Sequence, residues 1–146
     1  MKSIVELEKY LEEDYYSFTE LTIGKHYAPE GYIIEQNGNM YEFCYSERGK
    51  KRVLKSFSNE QDLVEYTLRK LSNNKWNRAH LVAWVWNECE IIQAEQELKN
   101  NGIAFERNDI LKFSHEKTAY RLFVFGKDIA KLPEFKNKYY KKNATI

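Results

Sequence analysis

At 146 residues, with 42% hydrophobic and 31% charged side chains, the chain has the composition of a folded globular protein and the length to bury a core without disulfide or metal staples. Its net charge of +1 divides into −3 over residues 1–73 (10 Lys/Arg against 13 Asp/Glu) and +4 over residues 74–146 (13 against 9), too small a basic excess for a dedicated nucleic-acid binder. No window nears the roughly 18 apolar residues of a membrane span, and no apolar stretch follows Met1-Lys2-Ser3, so neither a membrane partner nor a standard signal peptide is expected.

Ser3-Ile-Val-Glu6 has capping-box spacing and predicts a helix through about Tyr15. Ile4, Leu7 and Leu11 form its core stripe, while Glu6, Glu8, Glu12, Glu13 and Asp14 make a solvated face. Leu21–Gly24 is a short strand, and Pro29 and Gly31 mark a loop. Two apolar runs, Gly31–Gln36 and Met40–Tyr45, flank Asn37-Gly38, a strong hairpin signal because both central residues of a type I′ turn need positive φ. A turn centred there sets Gln36 against Asn39, Ile34 against Tyr41 and Tyr32 against Phe43. Tyr32, Ile34, Tyr41, Phe43 and Tyr45 then face the core. Ile33, Glu35, Met40, Glu42 and Cys44 make a mixed face suited to partial exposure. Glu47-Arg48-Gly49-Lys50 reverses the chain into Arg52–Phe57. Ser58 and Gln61 then predict a capped helix that buries Leu63, Val64, Thr67, Leu68 and Leu71.

Ser72–Asn77 is a polar break, leaving either a single domain or two subdomains, 1–73 and 77–146. His80–Trp86 is rich in β-branched and aromatic residues and reads as a strand, although a helix could also hold it. Its alternation puts His80, Val82, Trp84 and Trp86 on one side and Leu81, Ala83 and Val85 on the other. Asn87 and Glu90 predict the cap of a helix over 88–100 that turns Ile91, Ala94 and Leu98 inward and stops at Asn101-Gly102. Ile103–Arg107 and Ala119–Phe125 read as strands, with Ile110–Phe113 extending the former. A final helix, or two short ones broken at Pro133, runs to about Tyr140. The fold class is α+β: an N-terminal helix and an antiparallel meander with a packing helix, followed by a split β-α-β-β-α half of ferredoxin-like kind.

Signatures of chemistry are sparse. His26, His80 and His115 have no close His, Cys or paired carboxylate at ligand spacing, and nucleotide-binding glycine motifs are absent, so no metal or cofactor is expected. Cys44 and Cys89, far apart and outside any CxxC, read as free thiols of a reducing, cytoplasmic compartment. No nucleophile with its base is flagged, so the chain reads as a binding protein and not an enzyme. The candidate partner-binding residues are Tyr45, Glu47, Arg48, Trp76, Trp86, Glu88 and Glu90, because aromatic and arginine side chains most often anchor interfaces. For each tryptophan, core packing is the competing role. The aromatic strand Arg121–Phe125 supports an alternative, a regulatory module that binds nucleic acid or a small ligand through the split-βαβ half.

Tyr45-Ser-Glu-Arg-Gly49, Phe57 and the helix Ser58–Tyr66 resemble segments of small bacterial immunity proteins. So do His80–Trp84, Leu98–Ile103, Arg107–Ile110 and Tyr120–Asp128. These proteins are the antitoxins of polymorphic-toxin and contact-dependent growth-inhibition systems. The resemblance spans roughly residues 20–130 and rests on strand and turn patterns. It implies a cytoplasmic antidote, without cofactor or catalysis, that binds the C-terminal domain of a cognate toxin. The toxin would be a nuclease or an NAD-degrading enzyme, blocked at its active site or an adjacent surface. Against a basic toxin, the acidic first half is the expected face.

Overall fold

The computed structural model describes residues 1–143. Two compact units emerge, Met1–Arg78 and the chain from Ala79 onward, each with its own hydrophobic core.

In the first unit, α1 (Ile4–Glu13) is capped by the Ser3 hydroxyl, which accepts the Glu6 N–H as the spacing predicts. Leu7 and Leu11 are fully buried. The helix ends before Tyr15, which enters the left-handed region at φ 55° and turns the chain so that Tyr16 is buried. Next come β1 (Leu21–Ile23), β2 (Gly31–Asn37), β3 (Met40–Glu47) and β4 (Lys50–Phe57), arranged in that order in one sheet. The last three form the expected antiparallel meander, and β1 adds in parallel to β2. That approach requires Gly31: its φ is +116°, and a Cβ there would lie 2.0 Å from the Glu20 carbonyl oxygen.

The first hairpin differs from the sequence reading. Asn37 pairs with Met40, so Gly38 and Asn39 are the central residues, and Tyr32 faces Tyr45 while Ile34 faces Phe43. Only Gly38 takes positive φ, the pattern of a type II′ turn with glycine first. The slip is two residues, so every side chain keeps its expected face. A type I′ pattern appears one hairpin later, where Arg48 (φ 53°) and Gly49 (φ 77°) join Glu47 to its partner Lys50. A bulge at Leu54 leaves Val53 opposite Cys44 on the outer face and returns Phe57 to the inner one, opposite Tyr41.

The cap of α2 (Glu60–Ser72) is Asn59 and not Ser58. The asparagine amide makes two bonds to the first turn: Oδ1 accepts the Asp62 N–H at 2.9 Å, and Nδ2 donates to the Asp62 carboxylate at 2.9 Å. Gln61 donates instead to Glu65. Leu63, Val64, Thr67 and Leu71 are buried, with Ile34 and Phe43 of the sheet in the same core, while Leu68 is only partly buried. A 3₁₀ turn, Lys75–Arg78, ends the unit.

The second unit holds β5 (Ala79–Val85), α3 (Glu88–Asn100), β6 (Glu106–Arg107), β7 (Ile110–Ser114) and β8 (Lys117–Phe125). Strand β8 lies between β5 and β6 and is antiparallel to both, so β5-α3-β6 is a split βαβ unit. The expected alternation of β5 is interrupted at Val82 by a bulge in the pairing with β8, and four consecutive residues, Val82 to Val85, are buried. The strand expected from Ile103 shrinks to Glu106–Arg107, because Ile103 closes α3 by donating its N–H to the Leu98 carbonyl. The C-terminal segment is two short pieces around Pro133: a 3₁₀ stretch, Gly126–Lys131, and α4 (Phe135–Tyr139). Among the described residues no helix is long and apolar enough to cross a membrane.

Candidate functional site

The end of the β3–β4 hairpin collects three of the seven candidate residues. Tyr45, Glu47 and Arg48 line an open groove of about 550 Å³ with Lys50 and Arg52. The antiparallel ladder explains the grouping: Glu47 pairs with Lys50 and Tyr45 with Arg52, so side chains from both strands converge beside the turn. Tyr45 is half-buried and meets Tyr32 edge-on at 5.5 Å. Burial first, and then the charges of Glu47, Glu20 and Glu30, push its phenol pKa upward, so the hydroxyl remains a neutral donor. The Arg48 backbone N–H points to Glu30 at 3.4 Å. Among the described residues, the side chains of Glu47, Arg48, Lys50 and Arg52 form no ion pair. Lys50 and Arg52 were not among the candidates, although Lys50 closes the predicted turn and Arg52 opens the strand after it. They also reverse the local charge: this face is cationic within a half of the chain that is acidic in sum.

The other four candidates lie elsewhere. Trp76 sits on the 3₁₀ turn and lines a small cleft of about 40 Å³ with Tyr16, Glu20, Tyr32 and Asn77. In the second unit the Trp86 indole donates to the Lys141 carbonyl at 2.9 Å, and its ring packs on Trp84 and Phe113. Glu90 caps α3 together with Asn87 and accepts the Lys141 ammonium at 2.5 Å. That hydrogen bond is the main cause holding its carboxyl below the ordinary range, with burial opposing it. Glu88 is exposed on the first turn of α3.

Among the described residues, two clusters of possible metal ligands each draw on two different elements. Glu8 and Glu12, one turn apart on α1, meet His26 from the loop after β1, and their ligand atoms lie within 4.8 Å of one another. The expectation that His26 lacks a carboxylate neighbour is therefore corrected; a contact between a helix and a loop leaves no spacing signal. His26 Nε2 lies 2.6 Å from Glu12, its ring stacks on Phe18 at 3.7 Å, and Lys25 bonds both carboxylates, through its N–H to Glu8 and its ammonium to Glu12. This cluster is a closed ion-pair network tying the loop to the helix.

The second cluster, Glu35, Glu42 and Cys44, occupies the outer face of the first sheet, again within 4.8 Å. Partial exposure was expected here, yet Cys44 is fully buried and Glu42 is 9% exposed. Ile33 and Val53 flank Cys44 in register on either side. Burial raises the Cys44 thiol pKa and the two carboxylates add to it, against the pull of Lys51. A thiol held protonated in this way is the reverse of an activated nucleophile. No protein-family model, curated protein or solved structure matches the chain.

Proposed function

We propose that the chain is an immunity protein, a cytoplasmic antidote that binds the catalytic C-terminal domain of a cognate toxin and shields it through the end of the β3–β4 hairpin. One observation carries the reading: Tyr45, Glu47, Arg48, Lys50 and Arg52 converge on a single open groove while, among the described residues, the four charged side chains form no ion pair. Unpaired cations around a half-buried tyrosine are what a polar rim with an aromatic anchor requires. Arg48 adds to the case. It stands at positive φ in a turn where asparagine or glycine would fit with less strain, and strained residues cluster at working sites. The cationic groove suits an acidic surface on the toxin domain, such as the carboxylates around a nuclease or NAD-degrading centre.

Coexpression with the C-terminal domain of the toxin encoded beside it tests the reading. The native chain restores growth and copurifies with that domain, and Arg48→Glu with Arg52→Glu loses both. Failure of the folded native chain to bind or rescue would overturn it. The second reading, a nucleic-acid or small-ligand module, draws on Arg121, which lies over Phe123 at 5.1 Å and over Trp84 at 5.6 Å. Trp84, however, is 3% exposed, against the open ring that base stacking needs. That reading predicts salt-sensitive RNA binding, and a flat low-salt titration removes it.

A further inference from the structure

We propose that the outer face of the first sheet is a zinc site formed by Glu35, Glu42 and the Cys44 thiolate. Glu35 and Glu42 are directly opposite each other in the β2–β3 ladder. Like charges in that position repel, and the repulsion grows as water is excluded. Glu42 is nine-tenths buried, and the neutral Asn37 amide reaches it at 3.3 Å. Lys51 bonds Glu35, while among the described residues no cation bonds Glu42.

A second observation comes from the thiol. Cys44 follows Glu42 by two residues and therefore shares its face. It is fully buried, and no hydrogen-bond partner for its Sγ is found among the described residues, yet that Sγ lies within 4.8 Å of both carboxylates. Tetrahedral zinc holds oxygen ligands at about 2.0–2.2 Å and sulfur at about 2.3 Å, which sets ligand atoms roughly 3.5 Å apart. The three ligand atoms already lie within 4.8 Å of one another, close to that spacing.

The charges also balance. Binding forms a Zn–S bond as the thiol proton leaves to solvent. Two carboxylates, one thiolate and the Lys51 ammonium then sum with the dication to zero. A sulfur donor beside two oxygens favours zinc over magnesium or calcium, which take oxygen alone. The α1 cluster is the weaker competitor, because its histidine and both carboxylates already bond one another and Lys25.

Titration of the reduced full-length chain with zinc chloride by calorimetry tests the site, alongside absorption spectra with cobalt(II) in its place. Every arm carries Cys89→Ser, which removes the exposed thiol. The expected result is one zinc per chain and a thiolate-to-cobalt charge-transfer band. Cys44→Ser abolishes the band, Glu42→Gln weakens zinc binding at least tenfold, and Lys51→Ala tightens it by freeing Glu35. His26→Gln leaves all of this unchanged. If Cys44→Ser fails to fold, the Glu42→Gln titration and the cobalt band of the parent decide. Absence of binding, a spectrum without the band, or loss of binding in His26→Gln instead of Glu42→Gln would overturn the proposal.

Discussion

The hairpin end of the first unit and the β5–α3 corner of the second use the same residue types to opposite ends. At the corner, Trp86 gives its indole N–H to Lys141, and Glu90 takes the Lys141 ammonium. At the hairpin, Glu47, Arg48, Lys50 and Arg52 form no ion pair among the described residues, and Tyr45 is half-buried among them. A tryptophan or glutamate is thus no evidence of an interface until its hydrogen bonds are traced. Trp86 and Glu90 at the corner are committed to the fold, and the hairpin's charged side chains are available.

The sharpest way to break this contrast is to truncate one member of each set. Trp86→Ala removes a packed ring and is expected to destabilise the protein by about 3 kcal/mol in chemical denaturation. A loss under half a kcal/mol would mean that Trp86 is not committed to packing. Arg48→Glu with Arg52→Glu is expected to leave stability within about 0.5 kcal/mol. The same pair should weaken toxin-domain binding by about 2 kcal/mol, roughly thirtyfold, in a calorimetric titration.

Glu90→Gln probes the corner more gently, with an expected loss of up to about 1 kcal/mol at neutral pH. The sign follows from linkage. The folded pKa of Glu90 is depressed, so its stabilisation is complete above the ordinary carboxylate pKa of about 4.3 and disappears as the pH falls through the lower folded value. The difference between native and variant stability, followed by denaturation from pH 7 downward, should therefore stay constant and then shrink in acid. The smallest effect has two signs. Arg48→Asn relieves positive φ and is expected to stabilise the fold by roughly 0.5–1 kcal/mol while weakening binding. A variant that binds as tightly as the native chain would remove Arg48 from the interface.

Much of the fold was legible because it rests on local rules. Ser3 and Asn87 cap the helices their spacing announces, and the core stripe Ile91, Ala94 and Leu98 is buried as the 3.6-residue period requires. Alternation survived even a register error, since the β2–β3 slip was an even number of residues. What escaped were features decided between strands or between elements. The bulges at Leu54 and Val82 arise from pairing, and neither strand marks them with glycine or proline. The choice of Asn59 over Ser58 turns on which residue reaches the N–H groups of the first turn. The site was half legible: the turn motif pointed to Tyr45, Glu47 and Arg48, while Lys50 and Arg52 joined them only through the ladder. Neither three-residue cluster has a sequence signature, because each draws its members from two elements.

Hydrogen–deuterium exchange of the chain, alone and bound to the toxin domain, tests the central claim most directly. Slowed exchange over residues 45–52, with little change at Trp76 or over 86–90, is the predicted result. Protection at either of those places, with the hairpin exchanging as in the free chain, would contradict it.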